Sequence, residues 1–504
     1  MSNHETGVIP KIVMGTFDPE TRWRDPVLAR LPAMPDKDRE SIVLCMDELL
    51  FPFCGPDDVL YMRCKIDPSL HEYLNGLGFS FRTRYHFDLN EEDKPLPGSD
   101  VFKQCMFSLA AEQAQDLLPA NRMLKTAAAG YSKGVVLPES IPSIYAANDL
   151  RQRQSPDEAL FSIAAHILSP YAITAETEAY LHAAEPFNSL PDMETVVRVN
   201  SKIYSSRLLT RIGEKSCGME ANSAAEIEVI GTALLKRGPY LLKDPFGVSG
   251  KGNLLIDSEA MQRRIAEHLH KQEGSGLRVQ FLLEPLLPKV TDFSSHWFIQ
   301  ENGKTEFISV QRMMNHQQNY SGSIKADEAF TGMLENAGYF TVIEKALRAL
   351  VEDGYHGFVC FDSMILEDGE VLSIVEINAR KSMGLINAYL DKWSEPYGHT
   401  GWLTFFSLGL PGGFTFGKLL QALRESGLLL TTLGDYGIVP LSSNTVMVNE
   451  ILNRRRIAEG VQNKRGVPKG RLYVSVVGRD DRHRSQLVES LRQVLADLSV
   501  KVYN

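Results

Sequence analysis

Four residues in the second half of the chain, Asp362, Glu376, Asn378 and Arg380, combine side chains that could hold a metal ion and a phosphate. They lie on two apolar stretches, Phe358–Ile365 and Val371–Ile377, joined by Leu366–Glu370, a pattern that predicts a β-hairpin. Glu376, Asn378 and Arg380 alternate with Ile377 and Ala379, so on a strand the three polar groups share one face. A hairpin would set Asp362 opposite Glu376. Two carboxylates and an amide oxygen suit magnesium, a hard cation that binds through a few carboxylates and substrate phosphates. Arg380 would offer a planar cation to the same phosphates. A solvated edge of an antiparallel sheet also carries acids and arginines, but Glu376 and Asn378 interrupt an otherwise apolar strand, where Asn is disfavoured.

A second stretch, KDPFGVSGKGN from Lys243 to Asn253, has the composition of a phosphate cradle. It is not a P-loop: Pro245 stands where the first glycine belongs, and Gly252 replaces the hydroxyl residue after Lys251. Nor is it a dinucleotide fingerprint, since Leu255 takes the place of the last glycine. In both of those motifs the loop enters a helix, whereas Asn253–Ile256 reads as a strand, with a helix predicted only after the capping pair Asp257 and Ser258. The stretch is therefore expected to be a hairpin tip. Such a tip can lie over a nucleotide as a flap, its glycines letting backbone N–H groups approach phosphates, while Lys243 reaches them from the side. An ordinary surface hairpin would use the same residues for its turn.

The elements that must position these groups follow from patterning. A chain of 504 residues with 43% hydrophobic content supports about three domains. The first, residues 1–192, mixes short strands at Ser41–Cys45 and Asp58–Tyr61 with a helix-like segment at Pro156–Leu168. The second, 193–400, carries strands at Val279–Glu284, His296–Gln300 and Lys304–Val310, a turn at Asn302 and Gly303, and a helix over Thr341–Val351. The third, 401–504, ends in a strand, Arg471–Val477, and an amphipathic helix, Ser485–Leu498.

The net charge of −10 opposes nonspecific attraction to nucleic acid or anionic membrane. No apolar run approaches the ~18 residues of a membrane helix, and no signal sequence opens the chain. Both point to a cytoplasmic protein. The six cysteines, Cys45, Cys54, Cys64, Cys105, Cys217 and Cys360, are scattered without metal-ligand spacing and read as reduced structural thiols.

In their order along the chain, these motifs resemble the ATP-grasp superfamily, over roughly Val196–Trp393. The resemblance implies an α/β (α+β) chain: an ATP-grasp fold whose two subdomains clamp ATP, preceded by a pre-ATP-grasp-like α/β domain and followed by a small C-terminal α/β segment. Asn200–Lys202, with Tyr204 and Leu208, is similar to the family's first lysine motif, so that Lys202 would contact the nucleotide. Lys243 would be the second lysine, and Gly247, Ser249, Gly250 and Gly252 the mobile flap. Phe281–Leu287 resembles the hinge strand, with Leu286 against adenine and either Glu284 or Asp292 on the ribose. Asp362, Glu376 and Asn378 match the metal ligands, for magnesium with manganese as the alternative, and Arg380 matches the arginine that supports the transferring phosphoryl group.

Within the family, the layout is most similar to carboxylate–amine and peptide ligases of bacterial natural-product biosynthesis, the group that includes the pheganomycin peptide ligase and the butirosin carrier-protein ligase. The implied reaction activates a carboxylic acid as an acyl phosphate and joins it to an amine. An acid–thiol ligase loading a carrier protein, or an ATP-binding regulatory protein without turnover, would share the nucleotide site. Between the hinge and the metal hairpin lie His296, Arg312, Asn315, His316 and Tyr320; Arg312 is the candidate for gripping the substrate carboxylate. The expected partners are small carboxylates and amines, with a carrier protein and a second copy of the chain as further candidates. The basic stretches Asn453–Arg456 and Arg479–Arg484 would either steer an acidic partner or form solvated faces.

Overall fold

A computed structural model describes residues 9–33, 36–89, 166–175, 177, 190–247, 252–316, 319–458 and 466–504. Their strands are β1 (Lys11–Met14), β2 (Val59–Cys64), β3 (Arg82–Phe87), β4 (Ile167–Pro170), β5 (Met219–Ala221), β6 (Tyr240–Lys243), β7 (Asn253–Ile256), β8 (Phe281–Pro285), β9 (Lys289–Ile299), β10 (Thr305–His316), β11 (Asn319–Lys325), β12 (Gly357–Leu366), β13 (Val371–Asn378), β14 (Gly401–Gly409), β15 (Gly437–Pro440), β16 (Lys469–Val477) and β17 (Lys501–Val502). The chain is a mixed α/β protein whose described residues form three sheets.

The N-terminal sheet is parallel, in the order β3-β2-β1-β4. All six residues of β2 are buried, as expected of a parallel strand covered on both faces. The expected strand at Ser41–Cys45 is instead the end of the helix Lys37–Leu44. The run Ile42–Cys45 fits either period, and the cap decides: the Asp36 carboxylate accepts from the Arg39 amide at 3.1 Å. Most of the helix-like segment Pro156–Leu168 lies outside the described residues; Ile167 and Leu168 open β4.

A small antiparallel sheet, β5-β8-β6-β7, has its own core. Tyr240, Leu242, Ile256, Phe281 and Leu283 pack there against Ile227 and Leu234 of the helix Ala224–Leu235 and Ile265 and Leu269 of the helix Glu259–Gly274. Because strand side chains alternate, Leu241 and Lys243 face the opposite side of β6 from this core.

The large antiparallel sheet runs β13-β12-β9-β10-β11-β14-β16-β15, with β17 on β14. It takes strands from both sides of the expected boundary at 400. The predicted hairpin is β12–β13, and the predicted helix over Thr341–Val351 is Tyr339–Glu352. Since β13 is an edge strand, its outward backbone donors need partners. The Ile377 amide donates to Ser205 Oγ at 3.1 Å and the Ala379 amide to Asn200 Oδ1 at 2.9 Å. The helix Lys202–Arg211 is thereby fixed against the strand that carries the acids.

Candidate functional site: a cleft between two sheets

A cleft of about 640 Å³ separates the small sheet from the large one. Leu241, Lys243, Asn253, Leu255 and Glu284 line it from one side; Asp292, Met313, Asp362, Met364 and Glu376 line it from the other.

On the large sheet, Asp362 is the register partner of Glu376. Asn378 Nδ2 donates to Asp362 Oδ2 at 2.9 Å, and Arg380 Nη2 donates to Asn378 Oδ1 at 2.8 Å, so these three side chains form one connected row with Glu376 opposite Asp362. Burial first, and then the facing Glu376 carboxylate, push the Asp362 carboxyl up to about 7. Two carboxylates held together in a half-dry cleft are the charge arrangement that a divalent cation relieves, and Asp362, Glu376 and Asn378 supply the hard oxygens it prefers. Among the described residues no three His, Cys, Asp or Glu side chains converge on one point, so the fit rests on two acids and an amide.

Lys202 enters this row from the helix behind β13. Its ammonium donates to Glu376 Oε1 and to the Gly247 carbonyl, each at 2.6 Å, while its side chain is only 3% exposed.

On the small sheet, Lys243 pairs with Glu284 on the neighbouring strand. Leu286 follows with its amide on the Pro239 carbonyl at 2.9 Å, and it lines the cleft while remaining partly exposed. Asp292 lies at the other end of this hinge segment, where Lys289 Nζ donates to it at 2.5 Å. Lys243, Glu284, Leu286 and Asp292 thus border the cleft together.

The strand pairing predicted for KDPFGVSGKGN is present, β6 against β7 with Lys243 opposite Asn253. Gly247 and Gly252 close the root of the hairpin: Asp244 N–H donates to the Gly252 carbonyl at 2.7 Å. Ser249, Gly250 and Lys251 lie outside the described residues.

The Arg380 side chain is 8% exposed, and its guanidinium is engaged from the N-terminal segment. Nε donates to Glu20 Oε1 at 2.8 Å, Nη2 lies 2.6 Å from the same oxygen, and the group sits 5.7 Å from the Tyr171 ring centre. Burial works against its charge, but Glu20, Tyr171 and Glu376 together outweigh it and hold the pKa above the ordinary arginine value. Glu20 was not visible as a site residue in the sequence, because nothing local in Pro19–Trp23 signals a partner 360 positions away.

Arg312 is not brought to the cleft. Its lateral neighbour is Phe293, which in turn pairs with Ser363, whereas Asp292, Met313 and Met364 form the adjacent row. One step along a strand reverses the face, and the Arg312 guanidinium lies over the Phe330 ring, 5.4 Å from its centre. His296 does not line the cleft either. It is 1% exposed, its ring bonds Ser382 Oγ at 3.0 Å, and burial lowers its pKa to about 4. The side chains of Asn315, His316 and Tyr320 lie outside the described part. In the basic stretches, Arg454 pairs with Glu450, Arg455 donates to the Leu89 carbonyl, and Arg484 bonds the Gly478 carbonyl and Asp481. No described helix is long and apolar enough to cross a membrane.

No family model matches the chain. In sequence it is 28% identical over 247 residues to the (butirosin acyl-carrier protein)–L-glutamate ligase of Niallia circulans, a span of 48% of this chain and 56% of that protein. The chain thus matches little more than half the length of this relative, a protein named as a ligase. Among solved structures, N5-carboxyaminoimidazole synthetase of Staphylococcus aureus aligns with a TM-score of 0.44 at 10% identity, covering 99% of this chain and 100% of that one. The carboxyaminoimidazole ribonucleotide synthase of Aspergillus clavatus, solved with ATP, aligns with a TM-score of 0.42 at 12% identity, covering 77% and 95%.

Proposed function

We propose that the chain is an ATP- and magnesium-dependent ligase that activates a carboxylic acid as an acyl phosphate and joins it to an amine, releasing ADP and phosphate. One observation carries this reading: a single cleft has the Lys243–Glu284 pair on one sheet and the Asp362–Glu376 pair on the other. Cationic and acidic groups on facing walls suit a nucleotide whose phosphates bring their own metal ion.

A carboxylate is a poor electrophile until its oxygen carries a good leaving group. In the proposed reaction a carboxylate oxygen of the substrate attacks the γ-phosphorus, and the bond to the bridging oxygen of ADP breaks. The amine nitrogen then attacks the acyl carbon, phosphate leaves, and the amine gives up a proton. Lys202 and Lys243 would neutralise phosphate charge, and Arg380 would support the transferring group, since catalysis of this kind is mainly positioning and electrostatic stabilisation. Asp362, Glu376 and Asn378 would hold magnesium, which supplies further charge neutralisation when bound. Gly247 and Gly252 would shape the flap over the phosphates, Leu286 would border adenine, and Glu284 or Asp292 would meet the ribose. Lys243 engages Glu284 and Lys289 engages Asp292, so both carboxylates stay candidates for the ribose.

The curated relative acts on a carrier protein, which favours one second reading: a carrier-bound thiol as the nucleophile in place of a free amine. An ADP-release screen over amino acids and small acids, singly and in pairs, with mass detection of products, tests both. A requirement for two substrates and a product formed with loss of water identifies the amine ligase. ADP release that depends on a phosphopantetheinylated carrier identifies the thiol ligase, and no ADP release with any of them would refute both.

A further inference from the structure

The short helix Pro19–Trp23 and the residue that follows it reach the site from two directions. Glu20 holds Arg380, and Arg380 in turn donates to Asn378 in the row of acids. Arg24, four residues on, donates Nε to Asp244 Oδ2 at 3.0 Å and is itself fixed by the carbonyls of Leu28 and Ala29 at 3.1 and 2.5 Å. Asp244 is the root of the flap hairpin: besides its bond to Gly252, its carboxylate accepts from the Phe246 amide at 2.9 Å and its carbonyl from the Gly247 amide at 3.2 Å.

Both ion pairs are nearly dry, with side-chain exposures of 8% and 6% for Arg380 and Glu20 and 10% and 9% for Arg24 and Asp244. Buried pairs contribute little net stability, because desolvation offsets their attraction. What a planar guanidinium gains from a buried carboxylate is a fixed orientation. Here one turn of chain fixes two orientations, one after the strand of acids and one at the root of the glycine-rich hairpin.

We infer that Glu20 and Arg24 are positioning residues for the nucleotide site, Glu20 setting the Arg380 guanidinium against Asn378 and Arg24 setting the root of the flap. The inference rests on the ATP reading given above. It makes the N-terminal segment a part of the catalytic apparatus instead of a neighbouring domain.

The test uses the full chain with Glu20→Gln, Glu20→Asp, Arg24→Met and Arg24→Lys. Four quantities are read: the dissociation constant for ATP by calorimetry, kcat for ADP release, the thermal midpoint, and the rate at which an arginine-specific dicarbonyl modifies Arg380, mapped by peptide mass. Glu20→Gln should speed modification of Arg380 several-fold and lower kcat about tenfold, with ATP affinity within about twofold. Glu20→Asp should recover part of both. Arg24→Met should show the reverse split, with ATP affinity weakened about tenfold and kcat at saturating ATP within about threefold, and Arg24→Lys should restore part of the affinity. Unchanged Arg380 reactivity in Glu20→Gln, or losses in every quantity that simply track the thermal midpoint, would overturn the inference. If the shifts in Arg380 reactivity and ATP affinity appear but no ADP is released, the positioning roles stand and the ligase reading fails. Absence of ATP binding by the parent chain would overturn both.

Discussion

Lys202 Nζ stands 2.6 Å from the Gly247 carbonyl and 2.6 Å from Glu376 Oε1, so one buried ammonium ties the root of the flap to the strand that carries the acids. A nucleotide phosphate entering between them would share the same cation. Lys202→Met removes the tie and leaves Glu376 without its counter-charge. ATP affinity should fall about tenfold, equivalent to roughly 1.4 kcal/mol, when measured by calorimetry; unchanged affinity would remove Lys202 from the nucleotide site.

Asp362 and Glu376, the two acids proposed to hold magnesium, have different partners. Asp362 is held by Asn378, while Glu376 shares its charge with Lys202. Asp362→Asn should lower kcat by ~10²–10³, the scale of losing one preorganised electrostatic contact. Glu376→Gln should raise the magnesium concentration needed for half-maximal ADP release. A magnesium titration separates the two, and a variant with the parent's magnesium dependence would take that carboxylate out of metal binding.

Arg380→Ala should lower kcat by ~10²–10³, as expected for one charge-stabilising donor. Arg380→Lys should not restore it, because an ammonium cannot span Glu20 and Asn378 in one plane as the guanidinium does. Near-normal turnover with normal ATP use in either variant, followed by ADP release, would sink the assignment.

Asp353 gives a pH-dependent readout of the helix that carries Lys202. It accepts from Arg211 Nη1 and Nη2 at 3.0 Å each and from Tyr204 at 2.6 Å, linking the helices Lys202–Arg211 and Tyr339–Glu352. Burial pushes its carboxyl up, but the Arg211 and Tyr204 hydrogen bonds outweigh this and hold the pKa below the ordinary value. With the folded pKa depressed, the unfolded chain binds more protons in the window between the two values. The stabilisation is therefore full above the ordinary carboxylate pKa and lost as pH falls through the folded one. Asp353→Asn should lower the thermal midpoint at neutral pH and flatten its decline in acid; parallel curves for variant and parent would contradict this.

The hairpin of acids was legible because its signal is local. Period-two alternation over Val371–Ala379 sets the faces, while a register shift between Asp362 and Met364 brings Asp362 opposite Glu376 instead of the Ile374 that the turn alone would give it. The strand pairing of KDPFGVSGKGN was legible for the same reason, from the strand that follows it. The face of Arg312 was not legible because β10 shifts register against β9 between Phe307 and Ser309, which moves every later residue one position along its partner. Only the lateral pairing of Arg312 with Phe293 reveals which face it takes. Glu20 and Arg24 depend on tertiary contacts alone, so no window of sequence contains both partners. At Ser41–Cys45 the apolar run was ambiguous in period, and the Asp36 cap outweighed its β-branched residues.

Gly252 puts the flap to a direct test. Its φ is +89°, and a Cβ there would stand 2.7 Å from Gly247 Cα and 3.2 Å from Asp244 Cβ, so the root of the hairpin closes only because this position has no side chain. Left-handed backbone at a non-glycine residue costs of order 1–3 kcal/mol, and here the close approach adds to it. Gly276 is the control, with φ +93° and nothing within 4 Å of the place a methyl group would take. Gly252→Ala should raise the KM for ATP about tenfold by opening the root of the flap, with a modest loss of thermal midpoint. Gly276→Ala should lose comparable stability and keep the parent's KM. If both variants shift stability alone, the close approach at Gly252 has no part in holding the nucleotide, and the hairpin is an ordinary surface turn.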